Sequence, residues 1–100
     1  MAGPIVVRVD PRALHLPTTR PEGADPAKLQ RQIARFGRSS DGMPEIQVTR
    51  GSDGHFMIND GVTRATRIAK LAPGDDVPAI IIAQSRHPVG MLRTIQEKLP

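Results

Sequence analysis

The apolar positions of this chain change period along its length. Ile5, Val6, Val7 and Val9 form a β-rich run bounded by Pro4 and Pro11, which predicts a short first strand. Residues 10–26 hold Pro11, Pro17, Pro21 and Pro26 and read as a connecting loop. Asp25-Pro26 is a helix start, with an acceptor side chain at the cap and proline where a missing N–H costs nothing. Leu29, Ile33 and Phe36 then recur at helical spacing and predict one apolar face, while Lys28, Arg31 and Arg35 occupy the other; Gly37 ends the helix.

A period of two follows. Ile46 and Val48 alternate with Gln47 and Thr49, Gly51-Ser52-Asp53-Gly54 is a hairpin turn, and Phe56 and Ile58 alternate with Met57 and Asn59 on the return strand. At Asn59-Asp60-Gly61 the period returns to about 3.6, and Ala65, Ile68, Ala69 and Leu71 form the packing side of a second helix closed by Pro73-Gly74. Val77 to Ala83 is almost wholly apolar, which predicts a strand covered on both faces. Leu92, Ile95 and Leu99 predict a short last helix. The sum is one α+β domain over residues 1–100: a small mixed four-stranded sheet with packed helices.

Composition narrows the chemistry. With 100 residues and only Phe36 and Phe56 as aromatics, the core must be Ile, Val, Leu, Ala and Met. The absence of Cys excludes disulfides, thiolate catalysis and cysteine zinc sites. The longest apolar stretch, Ala79 to Ala83, is far too short to span a membrane, and the N-terminus lacks the basic-then-apolar pattern of a signal peptide. A net charge of +4 mildly favours an anionic partner, although no Trp or Tyr offers a stacking platform.

The chemistry concentrates at the strand-to-helix turn. A helix N-terminus presents unpaired N–H groups and a positive dipole end, so Gly61, Val62, Thr63, Arg64 and Arg67 together suit a phosphate. The plainer alternative is a solvated basic face continuing to Lys70. Thr63 or Asp60 would cap the helix; Asp60 is otherwise a candidate to orient a water or bind a metal. His55, at the start of the return strand and a strand length from Gly61, or Asp60 is the candidate proton-handling group that would work with Arg64; the plainer alternative for His55 is a surface histidine. Asp53, Asp75 and Asp76 read as loop residues, and His15 and His87 as loop histidines. Ser39-Ser40 is either a flexible loop or a ligand contact. No ligand spacing writes a metal site, so a divalent metal stays open and the cofactor unknown.

Gly42-Met43-Pro44-Glu45-Ile46-Gln47-Val48, the hairpin, Asn59-Asp60-Gly61-Val62-Thr63-Arg64-Ala65-Thr66-Arg67 and Val77-Pro78-Ala79-Ile80-Ile81-Ile82, in that order, resemble the ParB/sulfiredoxin superfamily over roughly residues 5–83. More narrowly, the chain looks like the ParB-like C-terminal domains of bacterial polymorphic toxins. Sulfiredoxins carry a catalytic Cys where Val62 stands, so that chemistry is excluded. Partitioning ParB proteins carry Gly-Glu-Arg-Arg at the turn; Gly61-Val62-Thr63-Arg64 lacks the acid, so their CTP hydrolysis is not implied. No helix-turn-helix follows within the chain, so sequence-specific DNA reading is not expected. The resemblance implies an antibacterial effector, delivered within a larger secreted protein to the cytoplasm of a target bacterium and neutralised by a cognate immunity protein. Its substrate would contain phosphate: nucleic acid first, as a nuclease, or a nucleotide. A nucleotide-binding module and a non-catalytic protein-interaction domain are the alternatives.

Overall fold

The computed structural model describes residues 4–100. Four strands, β1 (Ile5–Val9), β2 (Ile46–Arg50), β3 (Phe56–Asp60) and β4 (Val77–Gln84), form one mixed sheet in the order β1-β4-β2-β3. β1 runs antiparallel to β4, β4 parallel to β2, and β2 antiparallel to β3. The tight turn predicted at Gly51–Gly54 joins β2 to β3, as a two-stranded hairpin requires. Helix α2 (Val62–Leu71) carries the chain from β3 to β4, the crossover that a parallel β2–β4 pair demands.

Helix α1 (Pro26–Phe36) begins as its sequence predicts: Asp25 Oδ1 accepts from the Ala27 N–H at 2.9 Å, Pro26 occupies the first turn, and Gly37 ends the helix at φ 58°. Leu29 is buried, but Phe36 is 48% exposed, so the apolar face narrows toward its C-terminus. The reason is that α1 packs chiefly on α2 rather than on the sheet. The core lies between α2 and one face of the sheet, where Ile46, Val48, Ile58, Ala65, Ile68, Val77 and Ala79 are sealed from solvent.

Three expectations change. β4 is not covered on both faces: Val77 and Ala79 are buried, yet Ile82 is 51% exposed, because the core is confined to one side of the sheet. The segment 10–26 is more than a loop. It holds a 3-10 turn at Pro11–Ala13, and Leu14-His15-Leu16 then lies between β3 and residues 93–95. His15 N–H donates to Phe56 O at 2.9 Å, Leu16 N–H to Arg93 O at 2.7 Å, and Ile95 N–H to Leu14 O at 2.9 Å. The last helix is only a 3-10 turn, Gln96–Lys98. There Glu97 N–H donates to Thr94 Oγ1 at 3.2 Å and Thr94 N–H to Glu97 Oε1 at 3.1 Å, a reciprocal cap on a turn with no room to propagate before Pro100.

Candidate phosphate-binding cleft

Gly61 is the pivot. Its φ of 112° lets β3 turn into α2, and it leaves α2 with no side-chain cap, so the first N–H groups, from Val62 to Arg64, are unspent. Neither Asp60 nor Thr63 caps the helix, contrary to the sequence expectation. Asp60 instead places a carboxylate oxygen 3.6 Å from Arg64 Nη2, on a side chain 67% exposed, so the pair is weak. Thr63 is half-buried on the first turn.

The turn opens into a polar cleft of about 220 Å³. Asn59, Asp60, Gly61, Val62, Thr63 and Arg64 form one wall, Lys28 and Gln32 of α1 a second, and Pro17, Thr19 and Arg20 a third. Arg20, Lys28 and Arg64 face a single carboxylate, Asp60, so the balance of the lining is cationic. Arg64 folds back over the turn and donates from Nη2 to Glu45 O at 3.2 Å. Its Nε is buried and makes no hydrogen bond, so the donors it can offer a ligand are those of the terminal nitrogens. Asn59 is fixed from behind, its Oδ1 accepting from Thr49 Oγ1 at 2.7 Å.

Arg67 does not belong to this cleft, which corrects the expectation that it shares a phosphate with Arg64. It is 2% exposed. Its Nη1 donates to Gly37 O at 2.8 Å and to Ser39 O at 2.7 Å, and its Nε reaches Gln32 Oε1 at 3.4 Å. Burial lowers its pKa, but a guanidinium remains cationic. One helical turn beyond Arg64, it meets the C-terminus of α1, where orphaned carbonyls attract a cation. It also lies 5.2 Å from the Phe36 ring centroid. A second, more apolar pocket of about 290 Å³ lies here, lined by Phe36, Ser39, Met43, Pro44, Arg64 and Arg67, so Arg64 borders both spaces. Ser39 contributes its carbonyl to Arg67 and its hydroxyl, as acceptor, to Asp41 N–H at 3.1 Å.

His55 lies a strand length from Gly61, as its place in the sequence predicts, and so cannot handle a proton at Arg64. It sits at the opposite end of β3 from Gly61, roughly 20 Å away at strand rise. Its partner is His15, which is 4% exposed. His15 Nδ1 lies 2.8 Å from Leu92 O, so that nitrogen carries the proton, and Nε2 accepts from His55 Nδ1 at 3.1 Å. This pair ties the C-terminal segment to β3. Asp53 does the same from the hairpin tip, accepting from Gly90 N–H at 2.8 Å and from the N–H groups of Val89 and His55 at 3.3 Å.

Lys28 reads from the sequence as part of the polar face of α1, Asn59 as part of the turn, and Arg20 as one of several scattered arginines; Gln32 gives no signal, and only the tertiary fold brings all four to Gly61. Among the described residues no group of three or more His, Asp or Glu is placed to hold a metal, and no helix is long and apolar enough to cross a membrane. No known family model matches the chain, and no curated protein matches it.

Proposed function

We propose that this chain is a ParB-like effector domain whose Gly61 cleft binds a phosphate of its substrate, with nucleic acid as the first substrate and a nucleotide as the second. The observation that carries the reading is the uncapped N-terminus of α2 opening on Lys28, Arg20 and Arg64. Unpaired N–H groups, a helix dipole and fixed cations together favour a phosphoryl group. As a phosphorus–oxygen bond breaks, Arg64 would stabilise the growing charge on the departing oxygens. Asp60, exposed and only loosely paired, is the proton-handling candidate in the cleft. As an antibacterial toxin it would act in the cytoplasm of a target cell, and its immunity protein would cover the basic face with acidic residues.

A second reading, a nucleotide-binding module without catalysis, is favoured by the apolar pocket on the far side of Arg64. Phe36, Met43 and Pro44 suit a base there while the cleft holds its phosphates. Titration calorimetry with nucleoside mono- and triphosphates tests the shared element of both readings. Binding that Arg64→Ala weakens by about 1.5–3 kcal/mol is expected, the range for a charged hydrogen bond. Equal affinity in wild type and variant would refute the cleft. Induction in bacteria without an immunity partner then separates effector from module.

A further inference from the structure

The Gly61 cleft does not end at Lys28. Lys28, Gln32 and Thr63 also line a shallow groove of about 360 Å³ that continues along α1 past Arg31 and Arg35 to Phe36. Lys28, Arg31 and Arg35 recur at helical spacing on one exposed face, and α1 contains no acidic residue from Pro26 to Phe36. Among the described residues none of the three is in an ion pair. At the far end Phe36 is 48% exposed, with the Arg35 guanidinium carbon 5.2 Å from its ring centroid. The buried Arg67, itself 5.2 Å from that centroid and bonded to the carbonyls of Gly37 and Ser39, fixes the ring's surroundings.

We infer that the substrate is a single-stranded nucleic acid laid along α1, with one phosphate in the Gly61 cleft, the following phosphates on Lys28, Arg31 and Arg35, and a base stacked at Phe36. The inference rests on the cleft being a phosphate site and adds to it the rest of the path. From Lys28 to Arg35 the helix rises about 10.5 Å. That is about three phosphates at the ~3.4 Å rise of a stacked strand. A mononucleotide with its phosphate in the cleft leaves Arg31 and Arg35 without a phosphate to hold. A duplex keeps its base faces stacked within itself, whereas a single strand offers one to an aromatic ring or a guanidinium plane.

Fluorescence anisotropy tests this with labelled oligothymidylate and oligouridylate of about 12 nucleotides, within the site sizes of known single-strand grooves. A duplex of the same length and a labelled mononucleotide are measured alongside. Affinity should rise with strand length. Arg31→Gln with Arg35→Gln should flatten the dependence of log affinity on log salt by about 1.4, at 0.7 per phosphate, and leave mononucleotide binding unchanged. Phe36→Ala should weaken the single strand about tenfold and the duplex hardly at all. Circular dichroism confirms that each variant is folded. Binding that ignores strand length and both sets of variants, with Arg64-dependent mononucleotide binding intact, overturns the α1 path but spares the cleft. Equal binding of duplex and single strand with no effect of Phe36→Ala overturns the single-strand assignment. Absence of all binding, mononucleotide included, removes cleft and path together.

Discussion

The guanidinium of Arg64 occupies the space a side chain on Gly61 would need. A β-carbon placed on Gly61 falls 2.9 Å from Arg64 Nη2 and 2.8 Å from Ile46 Cδ1. The glycine is therefore required twice, by its φ of 112° and by the two side chains that close over it. Gly61→Ala is expected to cost about 2–5 kcal/mol, the sum of left-handed backbone strain and overpacking. Urea unfolding checks the figure. Nucleotide titration of the folded fraction should show that binding is lost as well, since Arg64 must swing away. A variant as stable as wild type would show that the turn relaxes without strain.

Arg64 and Arg67 should separate cleanly. Arg67→Ala strips cationic donors from the carbonyls of Gly37 and Ser39 and leaves a cavity under the 38–44 loop. A loss of about 3 kcal/mol in stability is expected, typical for breaking a buried charged network. Arg64→Ala removes a partly exposed side chain whose one protein hydrogen bond is a 3.2 Å contact to Glu45 O, so stability should change by less than about 1 kcal/mol. Parallel urea curves and ligand titrations read both. Wild-type stability for Arg67→Ala would remove its structural role.

The contrast shows what the sequence could carry. Signals of period and local stereochemistry were legible: the Asp25-Pro26 start of α1, the hairpin at Gly51–Gly54, and the switch to helix at Gly61. They depend on residues within one turn of each other. Arg67 is not placed by its sequence, because i, i+3 spacing says that two arginines are neighbours on a helix but not what faces them. The next element here is the C-terminus of α1, distant in sequence. Leu14-His15-Leu16 alternates over too few residues to stand out among prolines, and its strand-like state comes from partners on β3 and at residues 93–95. His55 lies just before β3, which ends at Asp60, and a strand of five residues separates the two too far for common chemistry.

Acid should loosen the C-terminal segment first. Desolvation works to raise the Asp53 pKa, but hydrogen bonds from Gly90, Val89 and His55 N–H, with the nearby His55 charge, hold it below its ordinary value. Glu97 is held low by the Thr94 N–H, against desolvation, with help from the Thr94 hydroxyl and Arg93. For a depressed carboxyl the stabilisation is present above the unfolded pKa and is lost as pH falls through the folded one. The loss should therefore fall below about pH 4. Urea midpoints are expected to drop there in wild type, and to drop less steeply in Asp53→Asn with Glu97→Gln. Hydrogen exchange at Leu16 and Ile95 should rise in the same window. Identical pH profiles for wild type and double variant would mean that these two carboxylates are not the linked groups.

Killing, if the proposed effector reading holds, must depend on the cleft and not on overall basicity. Arg64 and Lys28 line the cleft, whereas Arg50 and Arg86 are exposed elsewhere on the molecule. Removing a scattered exposed charge costs little, because such charges interact weakly and are screened by salt. Removing Arg64 deletes a positioned donor. Losing one contact of that kind to a transition state costs about a hundredfold or more in rate. Arg67→Ala is the wrong comparison here, since it acts through stability, so Arg64→Ala and Lys28→Ala are set against Arg50→Ala. Survivors after induction should be few for wild type and Arg50→Ala and many for Arg64→Ala, with Lys28→Ala between, at matched protein levels. Equal killing by wild type and Arg64→Ala would place the activity outside the Gly61 cleft. Full survival of cells expressing the wild type, together with nucleotide binding in calorimetry, would favour the binding module, for which the pocket between Phe36, Met43 and Arg64 already offers room for a base.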